Sequence, residues 1–321
     1  MKRLSNGFSI VELFLVVAVL AIAGVGGYYV YKRNQSKPDN QLQTELKTDN
    51  QASDSDSTLE FEDGIRLQPS TFGVTAGLPV ADVSAIQLDN GSWRIYAFAQ
   101  EQGIVSAISD DGLNFTAETG ARLGDGAGMP RIIRLADNTY RMYFIDQGNV
   151  SSATSVDGLT FVKENGFRIT APDGVDATTG ISTPIKLSDG KWHTYFSELP
   201  RPGEGLKAFN VYSAISDDLI SWTVQDGVRI GGTLVPTAEH PDAVVNDKGE
   251  VVLYFFVNET RKLMTATSVD GLKFENLKDT GLDCNDPNIA TSSSGEYRLY
   301  CGDFDEQAGG IVKSAQISTL P

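Results

Sequence analysis

Histidine, cysteine, tryptophan and methionine are all scarce here: two, two, three and four residues in a chain of 321. The two histidines, His193 and His240, stand far apart, and no paired cysteine motif accompanies them, so the spacing of a zinc site is missing. A phosphate-cradling glycine loop and a Ser-His-Asp signature are missing too. Ca²⁺ binding has no EF-hand loop to support it; neither a metal nor any other cofactor is expected from motif. Positive charge is also in short supply, with 26 Lys and Arg against 42 Asp and Glu and a net charge of −16. Phosphate binding needs a basic face, so a nucleic-acid partner is excluded. The two cysteines, Cys284 and Cys301, flank a turn at "TSSSGE". They read either as a disulfide across facing strands, formed outside the cytoplasm, or as two buried thiols.

One long apolar run is present. From Leu13 to Tyr31 there is no charge, and as a helix those residues span about 28 Å, close to the thickness of a bilayer's hydrocarbon core. Glu12 sits at its start, where an acid is costly and marks function. No A-x-A cleavage site follows, which disfavours a secretory signal. "KRLSNG" followed by "FSIVE" resembles the leader and cleavage site of a type IV prepilin: Lys2 and Arg3, then Gly7, Phe8 and Glu12. That resemblance implies a leader at 1–7 removed by a prepilin peptidase and a pilin-type transmembrane helix at 8–33. It also implies a methylated Phe8 amine, and Glu12 paired with the amine of a neighbouring pilus or pseudopilus subunit. A carboxylate near a helix N-terminus is favoured by the helix dipole, and a partner charge offsets its desolvation. An ordinary membrane anchor is the alternative. Residues 34–58 are rich in Asn, Gln, Ser, Asp and Thr. They read as a disordered tether with a reach of about 25–30 Å.

The rest of the chain repeats. S-x-D-G-x-x-[FW] recurs from Ser109, Ser155, Ser216 and Ser268, with Leu219 in place of Gly in the third copy. The separations are 46, 61 and 52 residues, each enough for one four-stranded blade. Five strand–turn–strand segments precede or follow these copies, from "AIQLDNGSWRIYAF" to "IATSSSGEYRLYCG". The last unit stops after its third strand, while "LEFEDGIRL" at 59–67 matches the outer strands "FTAETGARL", "FVKENGFRI" and "WTVQDGVRI". The expected fold is therefore all-β: a five-bladed β-propeller over 59–321, its last blade closed by the N-terminal strand 59–67 and preceded by one N-terminal transmembrane helix. In the repeat, Ser and Asp cap a tight turn and the aromatic, Phe115 or Trp222, packs between sheets.

The repeated turn resembles the Asp-box of sialidases, and five blades with such turns resemble the arabinanase and fructosidase-like glycoside hydrolases. The resemblance implies two aspartates and a glutamate at inner-strand starts as catalytic groups. The first three blades supply Asp82, then Met129 and Arg131, then Thr183, so the second and third lack the acid. Glu239 and Asp286 lie on the fourth and fifth blades, and with Asp82 they make three consecutive acidic blades. These three are the catalytic candidates. His240, Asp242, Glu198 and Arg201 are the ligand-binding candidates, with Glu204 in the same long insertion as Arg201. Capping of strand ends is the structural alternative for the acids. Function is expected to be binding of a glycan or another extracellular ligand by a single-pass surface protein. The alternatives are an anchored glycoside hydrolase and a protein-interaction head of a secretion or pilus machine.

Overall fold

The computed structural model describes residues 59–124, 126–170, 178–198, 209–232, 235 and 237–321. The leader, the pilin-type helix and the tether, with Gly7, Phe8 and Glu12, lie outside the described residues, as do Arg201 and Glu204. Among the described residues no helix is long and apolar enough to cross a membrane. A single helical turn, α1 (Pro69–Phe72), precedes the first blade.

Five antiparallel sheets follow one another. Blade 1 is β1 (Val80–Gln87), β2 (Trp93–Ala99), β3 (Gly103–Ser109) and β4 (Thr116–Ala117). Blade 2 is β5 (Ala127–Arg134), β6 (Tyr140–Asp146), β7 (Asn149–Ser155) and β8 (Val162–Lys163). In blade 3 the inner strand is broken into β9 (Thr178–Ile181) and β10 (Ile185–Lys186), followed by β11 (Trp192–Glu198), β12 (Val211–Ser216) and β13 (Thr223–Ile230). Blade 4 is β14 (Glu239–Val245), β15 (Val251–Val257), β16 (Lys262–Ser268) and β17 (Glu275–Asp279). Blade 5 has β18 (Asn285–Thr291), β19 (Tyr297–Asp305) and β20 (Gly309–Ile317). The inner strands close a ring: β1 meets β5 and β18, β14 meets β18 and β9, and β5 meets β9. This is the expected five-bladed propeller.

Residues 59–67 run along β20. The Glu62 and Arg66 amides donate to the Ser314 and Val312 carbonyls, at 2.8 and 2.7 Å, and Leu67 bridges Val312. They form no continuous strand, and Gly64 among them takes a left-handed φ of 88°. Blades 1 and 2 show the same irregular outer pairing, with single bridges at Ile104–Leu123 and Val150–Ile169. Glu62 also fills a repeated role. It accepts from Ser314 Oγ at 2.5 Å and from Arg298 at 3.2 Å. Glu118 accepts likewise from Ser106 and Arg94, and Glu164 from Ser152 and Arg141.

The core lies between blades. One tyrosine from each second strand is fully buried: Tyr96, Tyr143, Tyr195, Tyr254 and Tyr300. Four of their hydroxyls donate to a carbonyl in the repeated turn of a neighbouring blade. Tyr96 reaches Gly158, Tyr143 reaches Leu219, Tyr195 reaches Gly271 and Tyr300 reaches Gly112, at 2.7 to 3.0 Å. The turn itself is satisfied internally: Asp157 Oδ1 accepts the Leu159 and Thr160 amides at 2.8 Å and the Ser155 hydroxyl at 2.8 Å. These bonds hold Asp157 well below the usual carboxylate range, and its counterpart Asp218 down at about 2. The aromatic of each repeat meets the same tyrosine edge-on, as Phe115 does Tyr300 and Trp222 does Tyr143.

Candidate functional site

The site begins as a local backbone irregularity. In β1, β5, β14 and β18 the pairing slips by one residue, between Ala81 and Ser84, Gly128 and Arg131, Glu239 and Asp242, and Asn285 and Asn288. Each slip is a bulge that re-aims a side chain. Asp82, Met129, His240 and Asp286 occupy it with φ of 52, 53, 50 and 50°. A left-handed backbone at a non-glycine residue is strained, and such strain clusters at functional sites. In blade 3 the slip falls instead between Thr178 and Gly180, opposite Glu198 and Ser197, and Gly180 and Ile181 pair regularly with Ser197 and Phe196.

Three of the four re-aimed side chains meet. His240 Nδ1 is in direct contact with an Asp286 carboxylate oxygen and stands 3.8 Å from Asp82, while Nε2 stands 3.8 Å from Glu239. Carboxylate oxygens of Asp82 and Asp286 lie within 4.8 Å of each other. The four side chains keep a small solvent-facing edge, with His240 the most exposed at 18 %. The imidazole thus lies between Glu239 on one side and the two aspartates on the other.

Burial and crowding set the charges. Burial pushes Asp82 up to about 7, helped by the neighbouring Asp286 charge and opposed by His240 and Arg131. Burial would also raise Asp286, but His240 and Arg131 hold it below its ordinary value. Burial raises Glu239 against the pull of His240. For His240 burial acts downward, yet the carboxylates of Asp286, Asp82 and Glu239 outweigh it and carry the imidazole up to about 9. Asp82, His240 and Asp286 each offer a ligand atom within 4.8 Å of the others, a donor set of two carboxylates and an imidazole that a divalent cation could use.

Beneath this cluster a polar plug ties the blades at the axis. Arg131, 3 % exposed, donates from blade 2 to the Val83 carbonyl of blade 1 at 2.9 Å and the Pro287 carbonyl of blade 5 at 3.1 Å. These carbonyls follow Asp82 and Asp286 directly in the chain. Asp242 accepts the Thr183 and Ile289 amides, both at 2.7 Å, and the Asn288 side chain at 3.0 Å. Asn288 in turn accepts the Ala85 amide at 2.8 Å, and Ser84 accepts the Ile132 amide at 3.0 Å.

The sequence candidates are therefore sorted by the ring. Asp82, Glu239, Asp286 and His240 come together. Asp242 does not join them as a ligand-binding group: it is completely buried and fully engaged in joining blades. Glu198 is buried at the end of β11, where Asn210 and the Tyr212 hydroxyl donate to it. Cys284 and Cys301 form a disulfide, with Cα atoms 5.5 Å apart. His193 is packed in blade 3 against Asp189 at 3.1 Å. Sequence reasoning missed Asn288, Ser84 and the part played by Arg131. One signal was present: the re-aimed residue is followed by proline at Met129–Pro130, His240–Pro241 and Asp286–Pro287.

No protein-family model matches the chain, and no curated protein matches it in sequence. Solved structures do match in fold. A thermostable family-43 glycoside hydrolase superposes with a TM-score of 0.61 at 13% identity, over 77% of this chain and 91% of its own. An endo-1,4-β-xylanase from Bacteroides thetaiotaomicron gives 0.55 at 17% identity, over 73% of this chain and 89% of its own. An exo-β-1,3-galactanase from Clostridium thermocellum gives 0.58 at 14% identity, over 82% and 64%. At these identities the likeness is one of fold, a five-bladed propeller similar to that of glycoside hydrolases.

Proposed function

We propose that this chain is a pilin-type, single-pass surface protein whose propeller, held outside the cytoplasm, binds a glycan at the axial cluster. The convergence of Asp82, Glu239, His240 and Asp286 from three successive blades carries the reading. Four buried-edge polar groups at one mouth of the ring are the kind of convergent set that fixes a polyhydroxylated ligand. The likeness to a xylanase and a galactanase supports a glycan as that ligand. The disulfide suits an oxidising compartment. The pilin-type segment rests on the Gly7–Phe8 junction and Glu12, with a prepilin peptidase and pilus or pseudopilus subunits as partners.

Hydrolysis is the second reading, favoured by one observation: Asp82 is held near 7 while its neighbour Asp286 is held low. Against it, these two acids bring carboxylate oxygens within 4.8 Å of each other, and His240 fills the space towards Glu239. Glycosidic chemistry needs about 5 Å or more between its two carboxyl groups, with the bond to be cut lying between them. Binding is therefore preferred.

The full-length chain tested on a glycan array and on chromogenic furanosides and pyranosides separates the two. Retention of a glycan that weakens in Asp286→Asn and Glu239→Gln, without turnover, is the expected result. Turnover abolished by Asp82→Asn or Glu239→Gln would establish the hydrolase instead, and no retention at all would sink both. The mature N-terminus tests the anchor: its mass should begin at an N-methylated Phe8.

A further inference from the structure

We propose that His193 is a proton-operated latch between blades 3 and 4, tightening that junction of the ring when its imidazole is charged. The latch works whatever the mouth of the ring binds. The blades differ at one equivalent position, two residues before the buried tyrosine of each second strand. In blades 1, 2 and 5 that residue is Arg94, Arg141 and Arg298. Each guanidinium pairs with a glutamate of its own outer segment, Glu118, Glu164 and Glu62. Each also donates through Nη1 to a carbonyl in the serine–aspartate turn of the next blade: Asp157 at 3.1 Å, Leu219 at 3.4 Å and Asp111 at 3.0 Å. Arginine keeps its charge at every working pH, so these three links are permanent.

Blade 3 carries His193 there instead, and Gln225 where the glutamate would be. The ring is 3 % exposed. Its Nε2 lies 3.1 Å from Asp189, while its Nδ1 is buried without a hydrogen-bond partner among the described residues. Yet Nδ1 faces the turn of blade 4. A Cβ on Gly271 would come 3.5 Å from it, as a Cβ on the equivalent Gly158 or Gly112 would meet Nη1 of Arg94 or Arg298. A neutral imidazole that donates through Nε2 to Asp189 presents only a lone pair at Nδ1. A charged one donates at both nitrogens, and the second N–H stands where the other blades place a guanidinium N–H. A second arginine link has gone from this junction too. Arg66 and Arg122 reach the Leu113 and Leu159 carbonyls, both at 3.1 Å, whereas Arg229 donates to Ser213 Oγ at 2.7 Å and the Asp226 carbonyl at 2.6 Å. The other charged groups on the surrounding elements have partners of their own. Lys191 pairs with Asp217, Lys273 pairs with Glu275, and Lys186 lies over the Trp192 ring. Asp218 and Asp270 accept the amides of their own turns. His193 is the group left to change the junction.

Hydrogen–deuterium exchange of the full-length chain, read by mass spectrometry and corrected for the intrinsic effect of pH, tests the latch. The comparison runs from about pH 8 to about pH 5.5, the range in which histidine changes charge. Peptides over the blade 4 turn, residues 266–275, should gain about tenfold more protection than those over the blade 2 turn, residues 153–162, the scale of one hydrogen bond to a charged group. The blade 2 turn, held by Arg94, controls for pH effects that spread over the whole ring, those of Asp82 and His240 included. In His193→Gln the extra gain should vanish. In His193→Arg combined with Gln225→Glu, which rebuilds the permanent link, the blade 4 turn should be well protected at both pH values. Equal changes at the two turns of the wild type would overturn the proposal, and so would an extra gain that persists in His193→Gln. The wild-type comparison needs no variant, so it decides the matter even where a variant fails to fold.

Discussion

The propeller's two sets of symmetry-related positions have diverged to very different degrees. At the repeated turns, blades 1 to 4 carry nearly the same residues making the same bonds: Ser to Asp, Asp to two amides, and a tyrosine from a neighbouring blade into the turn's carbonyl. At the inner-strand bulges the backbone repeats just as closely, with four φ values near 50°, but the side chains are Asp, Met, His and Asp. Where each blade needs the same thing, the residues stay the same. Where they differ on an identical backbone, the blades have stopped serving one another and jointly serve the axis. Repetition here marks the fold, and divergence on a repeated backbone marks the site.

The most drastic way to break that contrast is to remove one copy of the repeated bonding. Deleting 59–67 takes away Glu62, Arg66 and the fully buried Leu67, and leaves β20 with an open edge. The midpoint of thermal unfolding should fall by about 10 °C or more. A deletion variant as heat-resistant as its parent would show that the ring does not depend on this closure. Next in size is the plug below the cluster. Asp242→Ala strands the Thr183 and Ile289 amides and leaves Arg131 without its carboxylate, 3.8 Å away. A loss of about 3–5 kcal/mol in denaturant unfolding is expected, the scale for breaking a buried charge pair. A loss well below 1 kcal/mol would mean that the axis is looser than these bonds suggest.

Much of this could be read before any coordinates. The recurring strand–turn–strand segments count the blades, the serine–aspartate turns space four of them, and the match of "LEFEDGIRL" to other outer strands places the closing segment, because local repeats reflect local geometry. Asp82, Glu239 and Asp286 were legible as strand-start acids. Their meeting was not, since it depends on a bulge and on ring closure that brings together residues about 200 positions apart. Asp242 shows the same limit from the other side: as an acid two residues from His240 it looked like a ligand group, but the pleat and the bulge send it beneath the cluster. The buried roles of Arg131 and Asn288 exist only across the axis, where no sequence neighbour betrays them.

A smaller effect probes the diverged end through pH. His240 is raised from its ordinary 6.5 to about 9, and Asp82 from 3.8 to about 7. A raised folded value stabilises fully below the unfolded value and fades as pH rises through the folded one. Both groups therefore withdraw support in the same direction: Asp82 between about pH 4 and 7, His240 between about 6.5 and 9. Asp286, held low, works oppositely and is lost only on acidification. Stability should fall by on the order of 3 kcal/mol between neutral pH and pH 9 or so. In His240→Gln that alkaline slope should flatten. An unchanged slope in the variant would place the titration elsewhere.

The smallest effect sharpens the comparison within the repeated turns themselves. Tyr143 and Tyr254 are equivalent, both essentially without exposed surface, on the second strands of blades 2 and 4. Tyr143 donates to the Leu219 carbonyl at 2.7 Å. Tyr254 faces blade 5, which has no serine–aspartate turn, and among the described residues its hydroxyl has no such carbonyl. Burial pushes both hydroxyls far above their ordinary value, so neither ionises in the working range. Replacing each by phenylalanine keeps the ring and removes only the hydroxyl. Tyr143→Phe should cost about 1 kcal/mol, with Arg141 Nη1, 3.4 Å away, left as the donor to the Leu219 carbonyl. Tyr254→Phe should be close to neutral. Equal losses in urea unfolding would mean that the hydroxyl's worth lies in packing rather than in the bond between blades, and the repeated turn would lose its claim to hold neighbouring blades together.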